Sequence, residues 1–308
     1  MSKINLKKIA FVFPGQGSQH IGMGEDICRA EQNAKSTFFK VAEACDFDLA
    51  RVAWVGPEEA LRRTCYTQPA LLATSAACLQ ALRLNWTENP FCVAGHSLGE
   101  ISALWAAEAL NLKQAAEITV LRGQLMENAP AGSMAAILGM EADKLKEICQ
   151  EFDIVVANFN TPLQQVISGS SENIEKIKVK LTELKAKVIS LPVGGAFHSP
   201  LMNSANEIFS QKLETVEFKD SICPVIQNIN AKPYTLANEL KQNLQKQMTA
   251  SVYWTDTISK MLEMGTEGFI EIGAGKVLSG LIKKIDRNAL IMQVSDSESL
   301  KQSLELLV

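Results

Sequence analysis

The sequence predicts an α/β fold, with a large domain on a parallel sheet and a small α+β subdomain inserted into it. Two observations carry this. Apolar runs at Ile9–Phe13, 91–94 and Gly268–Ile272 each stop at a glycine-containing turn, and the last two lead directly into helical patterns, as strands of a parallel sheet do. After residues 128–132 the composition shifts, and a strand (Ser133–Leu138), a helix (141–149), two strands (154–157 and 165–168), a lysine-rich helix (171–185) and a strand (186–191) follow. That βαββαβ order is the ferredoxin-like split unit. The large domain is therefore expected in two pieces, 1–128 and 199–308, around a subdomain at 129–198.

Composition narrows the function classes. Hydrophobic residues make up 47% and charged residues 21%, the balance of an ordinary globular protein. No apolar run approaches the length of a membrane span, and residues 1–8 lead into the first strand without a secretory h-region. A soluble cytoplasmic protein with no membrane partner is expected. The net charge of −4 argues against general nucleic-acid binding while leaving room for a local basic patch. Seven cysteines without a C-x-x-C pair read as reduced core residues, and three dispersed histidines offer no zinc site, so no metal is expected.

Along the chain, the first strand delivers Pro14-Gly15-Gln16-Gly17-Ser18-Gln19. This is no dinucleotide fingerprint, because the glycine after Gly15 and Gly17 comes only at Gly22. The loop is either a plain tight turn or a presenter of backbone N–H groups, Gln16's among them, to an oxyanion. Segments 26–50 and 57–63 look helical and mostly solvated. Thr67-Gln68-Pro69 then precedes a buried alanine- and leucine-rich helix running to Leu84, with Gln68 as its cap or facing the site.

Phe91-Cys92-Val93-Ala94-Gly95-His96-Ser97-Leu98-Gly99-Glu100 reads as a nucleophile elbow of the α/β-hydrolase type. Ser97 would sit on a strained strand-to-helix turn, with glycines two residues to either side letting strand and helix pack closely. Its helix N-terminus would face whatever bonds to the serine. In the next helix, Leu112–Glu127, Arg122 falls on an apolar stripe with Ile118, Leu121, Leu125 and Met126. A buried guanidinium needs a partner. That partner is either an acid of this chain or a substrate carboxylate beside Ser97.

Gly194-Gly195-Ala196-Phe197-His198-Ser199-Pro200 ends the insertion, with Ser199 able to cap a helix that has Pro200 at its first position. His96 adjoins Ser97 and should point away, and His20 lies in a polar turn. His198 is thus the leading general base, against the commoner structural role of a lone histidine. No acid stands at a strand end between serine and histidine, so a Ser–His dyad with an uncharged orienting acceptor is expected. Gly273-Ala274-Gly275-Lys276 lacks P-loop spacing and reads as a turn before the helix Val277–Ile285. Lys283, Lys284 and Arg287 cluster at that helix's C-terminal end, where the dipole favours cations anyway.

Taken together, GQGSQ at 15–19, GHSLGE at 95–100, Arg122 before Gly123, and AFHS at 196–199 resemble the malonyl-CoA:acyl carrier protein transacylases. The likeness extends through TQPA at 67–70, NFNTPLQQVISG at 158–169 and EIGAGKVLSGL at 271–281. The resemblance implies Ser97 as nucleophile, His198 as base and acid, Arg122 as holder of the malonyl carboxylate, and the Gln16 and Leu98 N–H groups as oxyanion hole. It further implies that the main-chain carbonyl of Gln247 orients His198, although Ser251 stands where the family has proline. Gln68 and Gln164 match positions lining the family's cleft. Phe197 and Leu98 look like malonyl-selective members, whose bulk would crowd an α-methyl group.

By the same resemblance the substrates are malonyl-CoA and the phosphopantetheine thiol of acyl carrier protein, with no permanently bound cofactor. The acidic carrier would dock on Lys283, Lys284 and Arg287. A monomer is expected. Two other functions share parts of this pattern: a serine hydrolase or thioesterase, which would not need Arg122, and a carrier-binding module that would tolerate loss of Ser97 and His198. A trans-acting acyltransferase of a polyketide pathway would share all of it.

Overall fold

The computed structural model describes residues 8–307. Residues 1–7, over which no leader is expected, and Val308 lie outside the described residues. The larger sheet contains β1 (Ile9–Phe13), β2 (Val93–Gly95), β7 (Val225–Gln227), β8 (Lys232–Tyr234), β9 (Gly268–Ile272) and β10 (Leu290–Val294), in the order β10-β9-β1-β2-β7-β8. Its pairings are parallel except for the antiparallel edge strand β8.

Period-two alternation splits this sheet between two cores. Ile9, Phe11 and Phe13 of β1 face the cluster that includes α4 (Thr64–Arg83), α5 (Gly99–Ala106), α6 (Leu112–Glu127) and α9 (Asn203–Glu214). Ala10 and Val12 face the other side, with Trp254 and Ile258 of α11 (Trp254–Glu263) and Leu278 and Ile282 of α12 (Val277–Ile285).

The smaller sheet is antiparallel throughout, in the order β4-β5-β3-β6: β3 (Ser133–Leu138), β4 (Val155–Thr161), β5 (Gln164–Gly169) and β6 (Lys187–Ser190). With α7 (Ala142–Glu151) and α8 (Ser171–Glu183) it closes its own core around Ile137, Leu145, Ile167 and Ile177. The two sheets meet where Val252 donates to the Ala157 carbonyl and accepts from Phe159 of β4. This contact fixes the loop before α11 beside the cleft.

Several elements differ from the sequence reading. The helix expected after Pro69 begins at Thr64 and carries Pro69 inside it. Proline removes only one i→i−4 bond there, close to the N-terminus, where the loss is tolerable. Gln68 is therefore no cap but a buried residue of the second turn. Segment 26–50 breaks into α1 (Glu25–Ala30) and α2 (Gln32–Ala42), separated at the extended Glu31. Pro200–Met202 is a 3₁₀ turn leading into α9, and Ser199 caps it by accepting from Leu201 N–H. Strands β8 and β10 and helices α10 (Ala237–Gln247), α11 and α13 (Ser297–Leu307) had no clear sequence signal.

Gly273-Ala274-Gly275-Lys276 is a turn, and the N-terminus of α12 is already filled. The Glu271 carboxylate accepts from the N–H groups of Leu278 and Ser279 and from the Ser279 hydroxyl. Steric fit is tightest at the elbow. A Cβ on Gly99 would collide with the Phe13 carbonyl, and one on Gly95 with the Gly99 backbone. We predict that Gly99→Ala destabilises the fold by about 2–3 kcal/mol, the upper range of overpacking, read as a lowered thermal midpoint. An unchanged midpoint would contradict this packing.

Candidate active site

Ser97 lies between β2 and α5 with φ 52°, the left-handed conformation of a strained elbow. Buried amides from distant segments hold it there. Asn228 Oδ1 accepts from Ser97 N–H at 2.8 Å, while Asn228 Nδ2 donates to the Gly95 carbonyl at 2.7 Å. The Asn228 N–H in turn donates to the buried Glu100 carboxylate at 2.6 Å. From α10, Gln247 Nε2 donates to the Ser97 carbonyl at 2.9 Å. Neither Asn228 nor Glu100 stood out in sequence as site residues, because a lone amide after a strand and a helix-face acid carry no spacing signal.

His198 Nε2 lies 2.7 Å from Ser97 Oγ. Its Nδ1 is 3.0 Å from the carbonyls of both Gln247 and Ala250. Carbonyls only accept, so Nδ1 carries the proton and Nε2 is free to take one from Ser97. The uncharged acceptor expected from sequence is thus present as a pair. Ser251, where the resembling family has proline, donates its hydroxyl to the Val156 carbonyl of β4, leaving Ala250 in reach of the imidazole. Burial, followed by the nearby Arg122 charge, pushes His198 down to about 3. His96 bonds Asn160 Oδ1 at 2.8 Å instead of Ser97, and His20 sits elsewhere, beside Ser18.

Arg122 is 1% exposed. Gly123 makes this possible: a Cβ there would crowd the Thr64 carbonyl and Cys65, so its absence lets α6 approach α4. The guanidinium donates to Gln68 Oε1 at 2.8 Å, Gln247 Oε1 at 3.0 Å and Ser97 Oγ at 3.2 Å, and its Nε has no partner. Among the described residues no carboxylate forms an ion pair with it. An internal acid as partner, one of the two alternatives left by the sequence, is therefore not what the structure contains. Burial lowers Arg122 to about 10, which still leaves it charged at neutral pH.

These groups line a cleft of about 520 Å³ between the two sheets, with Gln16, Gln68, Leu98, Phe197, Asn158 and Gln164 among its walls. Among the described residues no acceptor takes the N–H of Gln16 or Leu98. From α12, Lys284 Nζ donates to Gln164 Oε1 at 2.9 Å. The exposed Lys283 bonds the Arg287 carbonyl instead. A separate groove of about 610 Å³ near Ala30 and Leu300 lies away from this chemistry.

Residues 10–297 match the family model described as an acyl transferase domain. Malonyl CoA-acyl carrier protein transacylase of Bacillus subtilis is 42% identical over 311 residues, covering 98% of each chain. That of Staphylococcus aureus is 40% identical over 305 residues, covering 96% of this chain and 98% of the other. The chain belongs to the malonyl-CoA:acyl carrier protein transacylase family. The solved family member from Coxiella burnetii superposes with a TM-score of 0.95 at 33% identity over 99% of both chains. A malonyl-transacylase solved in complex with a type II polyketide acyl-carrier protein gives 0.93 at 36% identity, over 97% of this chain and 99% of that one. The transacylase fold, with its mostly parallel six-stranded sheet and separate antiparallel subdomain, is thus shared at full length.

The depressed imidazole has a measurable sign. The unfolded chain takes up a proton near 6.5 that native His198 refuses down to about 3, so this group's contribution to stability falls as pH drops through that window. Imidazole nitrogen shifts should show His198 as the neutral Nδ1–H form from pH 8 to about 5. A midpoint between pH 6 and 7 would contradict the assigned environment.

Proposed function

We propose that this enzyme transfers the malonyl group from malonyl-CoA to the phosphopantetheine thiol of acyl carrier protein, supplying extender units for fatty acid synthesis. One observation carries the reading: a buried, charged guanidinium with no ion-pair partner among the described residues reaches Ser97 Oγ at 3.2 Å. A substrate with a carboxylate close to its thioester carbonyl supplies that counter-charge where the nucleophile stands.

Ser97 Oγ attacks the thioester carbonyl carbon while His198 Nε2 takes the hydroxyl proton. The N–H groups of Gln16 and Leu98 receive the negative charge of the tetrahedral oxygen. Collapse breaks the carbon–sulfur bond, and His198 returns its proton to the departing CoA thiolate. The carrier's thiol then attacks the malonyl-serine by the same steps in reverse, which is ping-pong transfer. A thioester is already activated for acyl transfer, so this chemistry requires no resident cofactor or metal.

The carrier docks at the cationic end of α12, where Lys283, Lys284 and Arg287 are exposed and Lys284 meets the cleft wall at Gln164. Among the described residues no helix is long and apolar enough to cross a membrane. The protein is proposed to be a cytoplasmic monomer that meets its carrier in solution.

Intact mass after brief exposure to malonyl-CoA tests the reading. The parent protein should gain one malonyl group, Ser97→Ala none, and Arg122→Ala should load about a hundredfold more slowly, the scale of a lost buried charge pair. The adduct should move to added carrier; its loss to water as fast as it forms would favour a thioesterase. Reversing both Lys283 and Lys284 to glutamate should slow transfer to carrier about tenfold or more while sparing loading from CoA. Equal loss of both half-reactions would reject this docking surface.

A further inference from the structure

The two amides that bracket Arg122 have a fixed orientation. A guanidinium only donates hydrogen bonds, so the Gln68 atom 2.8 Å from Nη1 must be the carboxamide oxygen. Gln68 Nε2 then points to Thr64 Oγ1 at 2.8 Å, and Thr64 Oγ1 donates to Gln16 Oε1 at 2.9 Å. On the other side, Gln247 Nε2 faces the Ser97 carbonyl, which only accepts, so Gln247 Oε1 is the atom turned to Arg122. Both amides are about as buried as the guanidinium they hold. Arg122 is therefore aimed by two full hydrogen bonds and neutralised by neither.

Nearby acid does not supply the missing charge. The closest buried carboxyl in the network, Glu100, gives its oxygens to Asn228 N–H and to Gln227 Nε2. Burial raises Glu100 to about 7, so much of it is uncharged at neutral pH. Leaving a cation buried without a partner is costly, and a glutamate at either amide position would relieve that cost with no change in size. The chain has glutamine at both.

We propose that Gln68 and Gln247 are specificity-determining residues, selecting for a carboxylate-bearing acyl group because their neutral amides orient Arg122 without cancelling its charge. This rests on malonyl-CoA being the acyl donor. The incoming carboxylate takes the position of the Ser97 Oγ contact and is the one full counter-charge in the site. An uncharged acyl group brings none, and leaves the guanidinium desolvated and unpaired against it.

Gln68→Glu is the cleaner test of the two positions. A carboxylate at 68 meets Arg122 on one side and on the other Thr64, whose hydroxyl can turn to donate to it. A carboxylate at 247 would set its second oxygen against the Ser97 carbonyl and Asn228 Oδ1, both acceptors. Gln68→Met removes the amide without adding charge, and shows what orientation alone contributes.

The experiment measures rapid-quench loading of Ser97 from malonyl-CoA and from acetyl-CoA, by intact mass, in the parent, Gln68→Glu and Gln68→Met, with folding checked by circular dichroism. The parent's malonyl-to-acetyl ratio of kcat/KM should narrow about a hundredfold or more in Gln68→Glu, with acetyl loading held or raised. In Gln68→Met it should narrow about tenfold, through slower malonyl loading alone. A folded Gln68→Glu that keeps the parent's ratio within about threefold overturns the inference. Should Gln68→Glu not fold, Gln68→Met decides: a ratio and a malonyl rate equal to the parent's also overturn it. A parent that loads no malonyl group at all instead overturns the proposed function, which separates the two failures.

Discussion

The left-handed turn at Ser97 is the constraint on which the site depends. A serine at φ 52° is strained, and its strand and helix approach so closely that neither Gly95 nor Gly99 has room for a side chain. Such a turn persists only where the surroundings over-determine it. Here β1 presses from one side through Phe13, while Asn228 and Gln247 take the backbone N–H and carbonyl of Ser97. The two amides come from the chain after the inserted subdomain. The elbow at Ser97 is therefore not formed by its own motif alone; it is completed by residues more than a hundred positions away.

Charge is arranged around that turn with equal economy. His198, Arg122 and Glu100 are all buried, and burial moves each towards its neutral form. Burial is the larger cause of the depressed imidazole, and the Arg122 charge is the second. In the proposed mechanism a carboxylate bound to Arg122 offsets that second cause, so the imidazole becomes more basic when an acyl group of the right charge arrives. That mechanism links recognition and proton transfer through one electrostatic interaction.

The sequence made part of this visible for physical reasons. The elbow was legible because close packing demands glycine at fixed spacing, and Arg122 because a charge on an apolar stripe breaks a helix's period. His198 emerged by elimination among three histidines. The βαββαβ order of the subdomain was legible because each element buries one face. The start of α4 was misplaced because proline usually marks a first turn, whereas Pro69 lies in the second. Strands β8 and β10 are short or only half-buried and carry little pattern. The amide network was the least legible part. Gln68, Asn228 and the Gln247 side chain act through hydrogen bonds that include ones to partners 54, 131 and 150 positions away, and no local periodicity encodes such pairs.

The most direct test of the account is a high-resolution structure of the malonyl-Ser97 adduct, trapped by freezing crystals soaked briefly in malonyl-CoA. The malonyl carboxylate should lie on Arg122 with both amide bonds from Gln68 and Gln247 retained. The ester carbonyl oxygen should lie about 3 Å from the N–H groups of Gln16 and Leu98. A carboxylate turned to solvent, with Arg122 still bonded to Ser97 Oγ, would contradict the account.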